Sequence, residues 1–196
     1  MILDPQNALF KDDWLIHDEV AEDLIEQVTV GVDPSGGTDE VGIVASALLN
    51  DGRFAVLADR STTGSPAQWG EAAVKCHDDF DADDVVVEVN FGGDMATDVV
   101  KQAAERAHEQ GRRETNLIRI KEVSASRGKA MRAEPVSLVY EKQRVLHRRG
   151  LDQLEAEMMA FSREWDRSAD GSPNRLDAMI WGITRLSKII TQIPIA

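Results

Sequence analysis

The sequence predicts an α/β fold on one mixed sheet with helices on both faces, and three observations carry that prediction. β-Branched alternation in "VTVGVD" (28–33) marks a strand. An Asp-Gly turn in "NDGR" joins two apolar runs as a hairpin, and two later apolar strands each alternate with a helical segment.

Taken in order, "VTVGVD" ends in the turn-forming "PSGG", "VGIVASALL" (41–49) is a second strand and "FAVLADRS" (54–61) returns as a third. These three make a meander. Ser65 is placed as the N-cap of a helix with Pro66 at its first position, and Trp69, Ala72, Ala73 and Cys76 supply its apolar face. "DDVVVEVNFGG" (83–93) is a fourth strand, followed by a helix from about Asp94 to Gln110 that Gly111 stops. "NLIRIKEV" (116–123) is a fifth strand and "SASRGKAMRAEP" (124–135) a basic loop, after which a helix runs from about Pro135 to Arg144. A short helix at Asp152 to Phe161 and a polar loop precede the last helix, where Leu176, Met179, Ile180, Ile183 and Leu186 recur at spacings of three and four.

The expectation is a five-stranded sheet, three strands of meander plus two parallel strands reached by right-handed helical crossovers. This order suits the RNase H-like fold. Residues 1–26 lack sustained periodicity and read as a lead-in packed against a domain at 27–196.

At 196 residues and 42% hydrophobic, the chain can bury one sizeable core. Its single cysteine, Cys76, excludes an internal disulfide and reads as a small core residue. No Cys/His cluster has zinc-ligand spacing, and His17, His77, His108 and His147 share no recognisable spacing, so neither a structural zinc site nor a hydrolase triad is expected. "DPSGGT" lacks the lysine of a phosphate-binding P-loop, and "SRGKA" lacks its upstream glycine and following Ser/Thr. No apolar stretch approaches the roughly 20 residues of a membrane span, and the acidic start has no signal-peptide layout, so a soluble intracellular protein is expected.

A net charge of −13 argues at face value against a nucleic-acid partner. The charge is segregated, however. Residues 112–149 hold 11 Lys/Arg against 4 Asp/Glu, net +7, which leaves 11 against 31, net −20, for the rest. One stretch is thus suited to face a polyanion, or else to scatter over solvated helix faces.

Glu88 stands inside an apolar strand, where a charge costs several kcal/mol unless an arginine, a shared proton or a metal ion compensates it. Asp33 closes the first strand, and Asp177 opens the last helix in "SPNRLDAMIWG". Ligands of such sheets bind beyond the carboxyl ends of the strands, so the three acids are candidates to converge there. Hard divalent cations such as Mg²⁺ or Mn²⁺ take a few carboxylates plus water and substrate phosphate. Two such ions would stabilise both the attacking and the leaving oxygen in phosphodiester hydrolysis. Each acid also has a plainer role open to it: an Asx turn for Asp33, the helix dipole for Asp177, an arginine partner for Glu88. Asp39 and Glu40 add loop acids beyond Asp33, and Asp94 reads as an N-cap. Arg127, Lys129 and Arg132 lie together beside small residues, suited to a phosphate backbone.

"VGVDPSGGTDEVGIV", "VVVEVNFGG", "GKAMRAEPVSLVYEKQRVLH" and "SPNRLDAMIWG" together resemble the C-terminal nuclease domain of the large terminase subunit of tailed bacteriophages, from about Val28 to Leu186. "NALFKDDW" is similar to the segment leading into that domain from the family's ATPase half. The resemblance implies an RNase H-like, divalent-metal-dependent endonuclease that cuts concatemeric viral DNA during genome packaging. Its metal ligands would be Asp33, Glu88 and Asp177, with Asp39 a further candidate, and Lys129 falls where the family has a lysine. Many members read Ser-Pro-Asp-Arg where this chain has Asn174, which leaves any auxiliary ligand there in doubt.

The implied partners are double-stranded DNA, the ATPase domain, the small terminase subunit and the portal, in the host cytoplasm and without a membrane. The chain is expected to be either an excised domain or a stand-alone product. Two alternatives stay open: another RNase H-like nuclease, such as a junction resolvase or transposase core, and a catalytically silent module that docks DNA or the motor.

Overall fold

The computed structural model of the chain describes residues 8–34, 40–89, 95–124, 128–165 and 171–190. Its strands are β1 (Ile16–His17), β2 (Ile25–Asp33), β3 (Gly42–Leu49), β4 (Phe54–Asp59), β5 (Asp84–Glu88), β6 (Ile120–Val123) and β7 (Val145–His147). They form one sheet in the order β1-β7-β4-β3-β2-β5-β6. The β2-β3-β4 pairs are antiparallel, the expected meander, while β5 lies parallel on β2 and β6 parallel on β5. The RNase H-like α/β architecture therefore stands, with seven strands in place of the expected five. The additions are the short parallel strands β7 and β1 beside β4. At two and three residues they are too short for an alternating pattern to show.

The helices are α1 (Pro66–Asp79), α2 (Met95–Glu109), α3 (Lys129–Glu141), α4 (Asp152–Ala160) and α5 (Asn174–Ile190). Pro66 occupies the first turn of α1, and the Ser65 N–H donates to Gln68 Oε1 at 2.9 Å, as a helix start requires. The chief correction concerns α3. It begins at Lys129, six residues before the expected start at Pro135, so much of the expected basic loop is helix. Pro135 stands inside the helix on its exposed side, where water can take the carbonyl bond that proline leaves unmade. No helix among the described residues is long and apolar enough to cross a membrane.

Strand alternation divides the core into two layers. Val28, Val30 and Val32 of β2 and Val85 and Val87 of β5 pack with Trp69, Ala73 and Cys76 of α1 and Val100, Ala103 and Ala104 of α2. On the other face, Val44 and Leu48 of β3 pack with Tyr140 of α3, Met158 of α4 and Leu176, Met179, Ile180 and Ile183 of α5. Cys76 is a core residue, its thiol pushed up to about 12 by burial first of all. Leu9 and Phe10 of the lead-in are buried in the second layer, and β1 adds an edge strand to the sheet.

Helix α5 lies against β2 and β3 at backbone distance. A Cβ on Gly31 would meet the Ala178 carbonyl oxygen at 2.0 Å, and one on Gly42 would meet the Asn174 oxygen at 1.9 Å. Neither obstacle is a flexible side chain. Gly31→Ala is therefore expected to lower the unfolding free energy by about 3 kcal/mol, at the upper end of overpacking losses. Gly128→Ala, with nothing within 4 Å of the new carbon, should stay near wild type. Urea unfolding followed by circular dichroism measures both, and equal midpoints would contradict the close contact.

Candidate active site

Parity decides which strand residues face α5. Because Val30 and Val32 point into the α1/α2 layer, Gly31 and Asp33 point to the α5 side. In β5, Val85 and Val87 take the first layer and leave Asp84 and Glu88 to the second. The parallel register pairs Val32 with Val87, so the next residues, Asp33 and Glu88, end their strands side by side at the carboxyl edge. Helix α5 crosses above them with Asp177, Trp181 and Arg185 at four-residue spacing on one face. Arg185 closes on the fully buried Asp84 at 2.8 Å, Trp181 reaches Glu88, and Asp177 lies over the strand ends.

The first turn of α3 completes the cluster. Lys129 Nζ bonds Asp177 Oδ2 and lies 3.2 Å from Ser172 Oγ. Arg132 places Nη1 3.3 Å from Glu88 Oε2 and Nη2 3.5 Å from Asp177 Oδ1, and its guanidinium stacks 4.8 Å from the centre of the Trp181 ring. The Trp181 N–H donates to the same Glu88 oxygen at 2.7 Å. Glu88 thus has the arginine partner that the sequence left open, together with two neighbouring acids.

Three carboxylates against two cations leave a buried excess of negative charge. Asp33 is held well above the ordinary aspartate value, by burial first, then by the charges of Asp177 and Glu88, with a hydrogen bond to Glu88 adding to the rise and Lys129 opposing it. Asp177 is also raised, burial outweighing the favourable charge and hydrogen bond of Lys129 and the charge of Arg132. Mutual repulsion among oxygen ligands is what a hard divalent cation relieves, so this donor set suits Mg²⁺ or Mn²⁺.

The first turn of α5 is pinned independently. Arg175 is buried among acids, with Nη1 2.6 Å from Asp59 Oδ2, a second bond to Glu40 and Nε 3.6 Å from Glu157 Oε1. Glu157 accepts the Leu176 N–H at 3.1 Å, and burial pushes its carboxyl up to about 7. The Asn174 amide bonds the Glu40 carbonyl, a positioning role for the residue that departs from the resembled motif.

Of the residues singled out from sequence, Asp33, Glu88, Asp177, Lys129 and Arg132 are brought together. Asp39, Arg127 and Asp94 lie outside the described residues. Glu40 is not at the acids but on Arg175. The basic stretch is not one continuous face, because Arg113 pairs with Asp78 at 2.8 Å, Arg112 with Glu71 at 3.1 Å, and Arg144 and Arg148 donate to the carbonyls of Gly52 and Val20. Trp181 escaped the sequence reading, since a tryptophan on an apolar stripe resembles core. Its spacing of four from Asp177 was the available signal.

The sequence matches the family described as terminase RNase H-like domain over residues 30–186. Solved structures share the fold, among them the following three. The human cytomegalovirus terminase nuclease domain, soaked with Mn, superposes with a TM-score of 0.66 at 13% identity over 93% of this chain and 97% of that one. The large terminase of a thermophilic bacteriophage gives 0.63 at 15% identity, over 91% of this chain and 44% of that one. The large terminase nuclease from the thermophilic phage G20c with bound magnesium gives 0.59 at 18% identity, over 92% and 98%. The match thus spans less than half the length of the second of these proteins. No curated protein matches the sequence.

The raised carboxyls have a sign that can be measured. Folded Asp33 and Asp177 keep protons that the unfolded chain releases near the ordinary aspartate value of about 4. Stability is therefore complete below that value and falls as pH rises through the raised ones. In EDTA, the melting temperature is expected to decline with pH over this range, and Asp33→Asn should raise it by a few degrees at pH 7. Calorimetry across pH checks this; an Asp33→Asn protein that melts lower than wild type at pH 7 would contradict the repulsion.

Proposed function

The chain belongs to the terminase RNase H-like domain family, and from that premise we propose that it is a divalent-metal-dependent DNA endonuclease. The observation that carries this reading is the meeting of Asp33, Glu88 and Asp177, from β2, β5 and α5, at the carboxyl ends of the strands, with Asp33 raised by burial and then by the other two. These three would hold the metal, Mg²⁺ or Mn²⁺. Bound there, divalent ions would supply charge stabilisation for the attacking and leaving oxygens of a phosphodiester and lower the pKa of a coordinated water.

The chain's own residues then have distinct tasks. The Trp181 N–H and the Arg132 guanidinium both hold Glu88 Oε2, which fixes the orientation of that carboxylate. Arg132, about 10% exposed, is enclosed by its two acids and the indole. Lys129 is more open, with 27% of its side chain exposed, so it is the cation that meets an incoming phosphate. Arg127 is assigned to DNA contact from sequence alone, and Asp39 likewise stays a candidate ligand.

By family, the substrate is concatemeric double-stranded DNA during genome packaging in the host cytoplasm, and the partners are an ATPase domain, a small terminase subunit and the portal. Support for the ATPase partner is the thermophilic bacteriophage large terminase, of which this fold covers 44%.

One observation favours a second reading. Lys129 and Arg132 already neutralise Asp177 and Glu88, as they would in a silent module that only docks DNA or the motor. Plasmid nicking in Mn²⁺ or Mg²⁺ separates the two. Wild type is expected to nick, and Asp33→Asn and Asp177→Asn to fall at least about 100-fold, roughly 2.7 kcal/mol of transition-state stabilisation, while keeping native circular dichroism. Cutting at the wild-type rate by both variants would remove the assignment. DNA affinity should also decline as salt rises, with a shallower log-log slope in Lys129→Ala, because each lost phosphate contact lowers the slope by about 0.9. An unchanged slope would place the DNA elsewhere.

A further inference from the structure

The β1-β7 side of the sheet, three strands away from β2, gathers a second set of ligating side chains that the proposed nuclease chemistry does not use. His17 closes β1, His147 closes β7, and their register pairs them directly. Glu155 comes up from the first turn of α4. His17 Nε2 and His147 Nδ1 each lie 2.8 Å from the same oxygen, Glu155 Oε1. Among the described residues, these three form a group of ligand atoms that all lie within 4.8 Å of one another. We propose that His17, His147 and Glu155 bind a divalent transition-metal ion of the Zn²⁺ class, separately from the carboxylate site, and that the ion fastens β1 to β7 and α4.

The donor set argues for this class of ion. Two imidazole nitrogens and one carboxylate suit Zn²⁺ and its neighbours, whereas Mg²⁺ prefers oxygen alone. Three protein ligands with a fourth position left to water is a common zinc arrangement. Exposure fits it: His147 is fully buried, Glu155 is partly buried, and the His17 side chain is 46% exposed, leaving one side open to solvent. With bonds of about 2.0–2.1 Å, tetrahedral ligand atoms stand roughly 3.3 Å apart, so the cluster must open by about half an ångström. His17 on its two-residue edge strand can give that.

The second layer is already oriented. His147 Nε2 lies 2.7 Å from Tyr140 Oη, and the Tyr140 hydroxyl donates to Met179 Sδ at 3.6 Å. In the tautomer with Nε2–H donating to the tyrosine oxygen, Nδ1 presents its lone pair on the side of Glu155, as a metal ligand must. A metal-bound histidine commonly has its far N–H held by such a partner. Burial pushes Tyr140 well up, so it stays a neutral hydroxyl. Sequence spacing did not point to zinc, because the two histidines lie 130 positions apart and only strand pairing joins them.

Cobalt substitution tests the site. Tetrahedral Co²⁺ with nitrogen ligands absorbs strongly in the visible, whereas octahedral Co²⁺ on carboxylates is pale. Titrating the metal-free protein with Co²⁺ is expected to give an intense band that saturates at one equivalent. The band should disappear in His17→Ala and in Glu155→Gln and persist in Asp177→Asn. In parallel, Zn²⁺ should raise the melting temperature of Asp177→Asn, in which the carboxylate site is disabled, but not of Asp177→Asn combined with His17→Ala. His17 is half-exposed, so its variant should fold, which circular dichroism verifies; His147, wholly buried, is the poorer choice. No intense band, a band that survives His17→Ala, or one lost with Asp177→Asn would overturn the proposal. A cluster held by protons alone would leave Asp177→Asn with the same melting temperature in Zn²⁺ as in EDTA. None of these outcomes bears on the nuclease reading, whose readout is DNA cutting.

Discussion

Helix α5 can lie where it does only because Gly31 and Gly42 present no side chain to it. The carbonyl oxygens of Ala178 and Asn174 occupy the space in which a Cβ would stand. That approach lowers the helix onto the sheet beside the ends of β2 and β5 and carries Asp177 over Asp33 and Glu88. A methyl group at either glycine would push the helix outward by more than a hydrogen bond tolerates. The glycines therefore act on the site without touching it. Arg175 among Asp59, Glu40 and Glu157 at one end, and Arg185 on Asp84 at the other, hold the helix along its length.

Such closeness gathers more charge than the interior favours. Three acids share an edge with Lys129 and Arg132, and the cations leave Asp33 and Asp177 raised. A site poised this way is one that a further cation would stabilise. The α3 cations are consequently part of the same electrostatic unit as the acids. The carboxyl ends of β2 and β5 and the β1-β7 side of the sheet also differ in ligand chemistry, oxygen alone against imidazole with oxygen, so the two proposed sites would take different ions.

Much of the architecture was legible in the chain. The meander, the two parallel strands, the helix starting at Ser65-Pro66 and the α5 stripe follow from periodicity and turn chemistry, which are local. The short strands β1 and β7 were not, because two or three residues carry no period. The early start of α3 was hidden by Pro135, a residue whose usual meaning is a boundary. At the site, Glu88 stood out as a charge in an apolar run, while Trp181 and the His17–His147 pair looked like ordinary residues.

What the sequence determined alone was which residues alternate, which turn and which must be buried, since those depend on neighbours a few positions away. From that came the carboxyl edge as the place for chemistry and Asp33, Glu88 and Asp177 as its candidates. Only the tertiary structure decided who compensates whom: Arg132 on Glu88, Lys129 on Asp177, His17 and His147 on one oxygen of Glu155. Coulomb and hydrogen-bond energies fall away within a few ångströms, and separations of that size between distant parts of a chain are set by packing rather than by order along it.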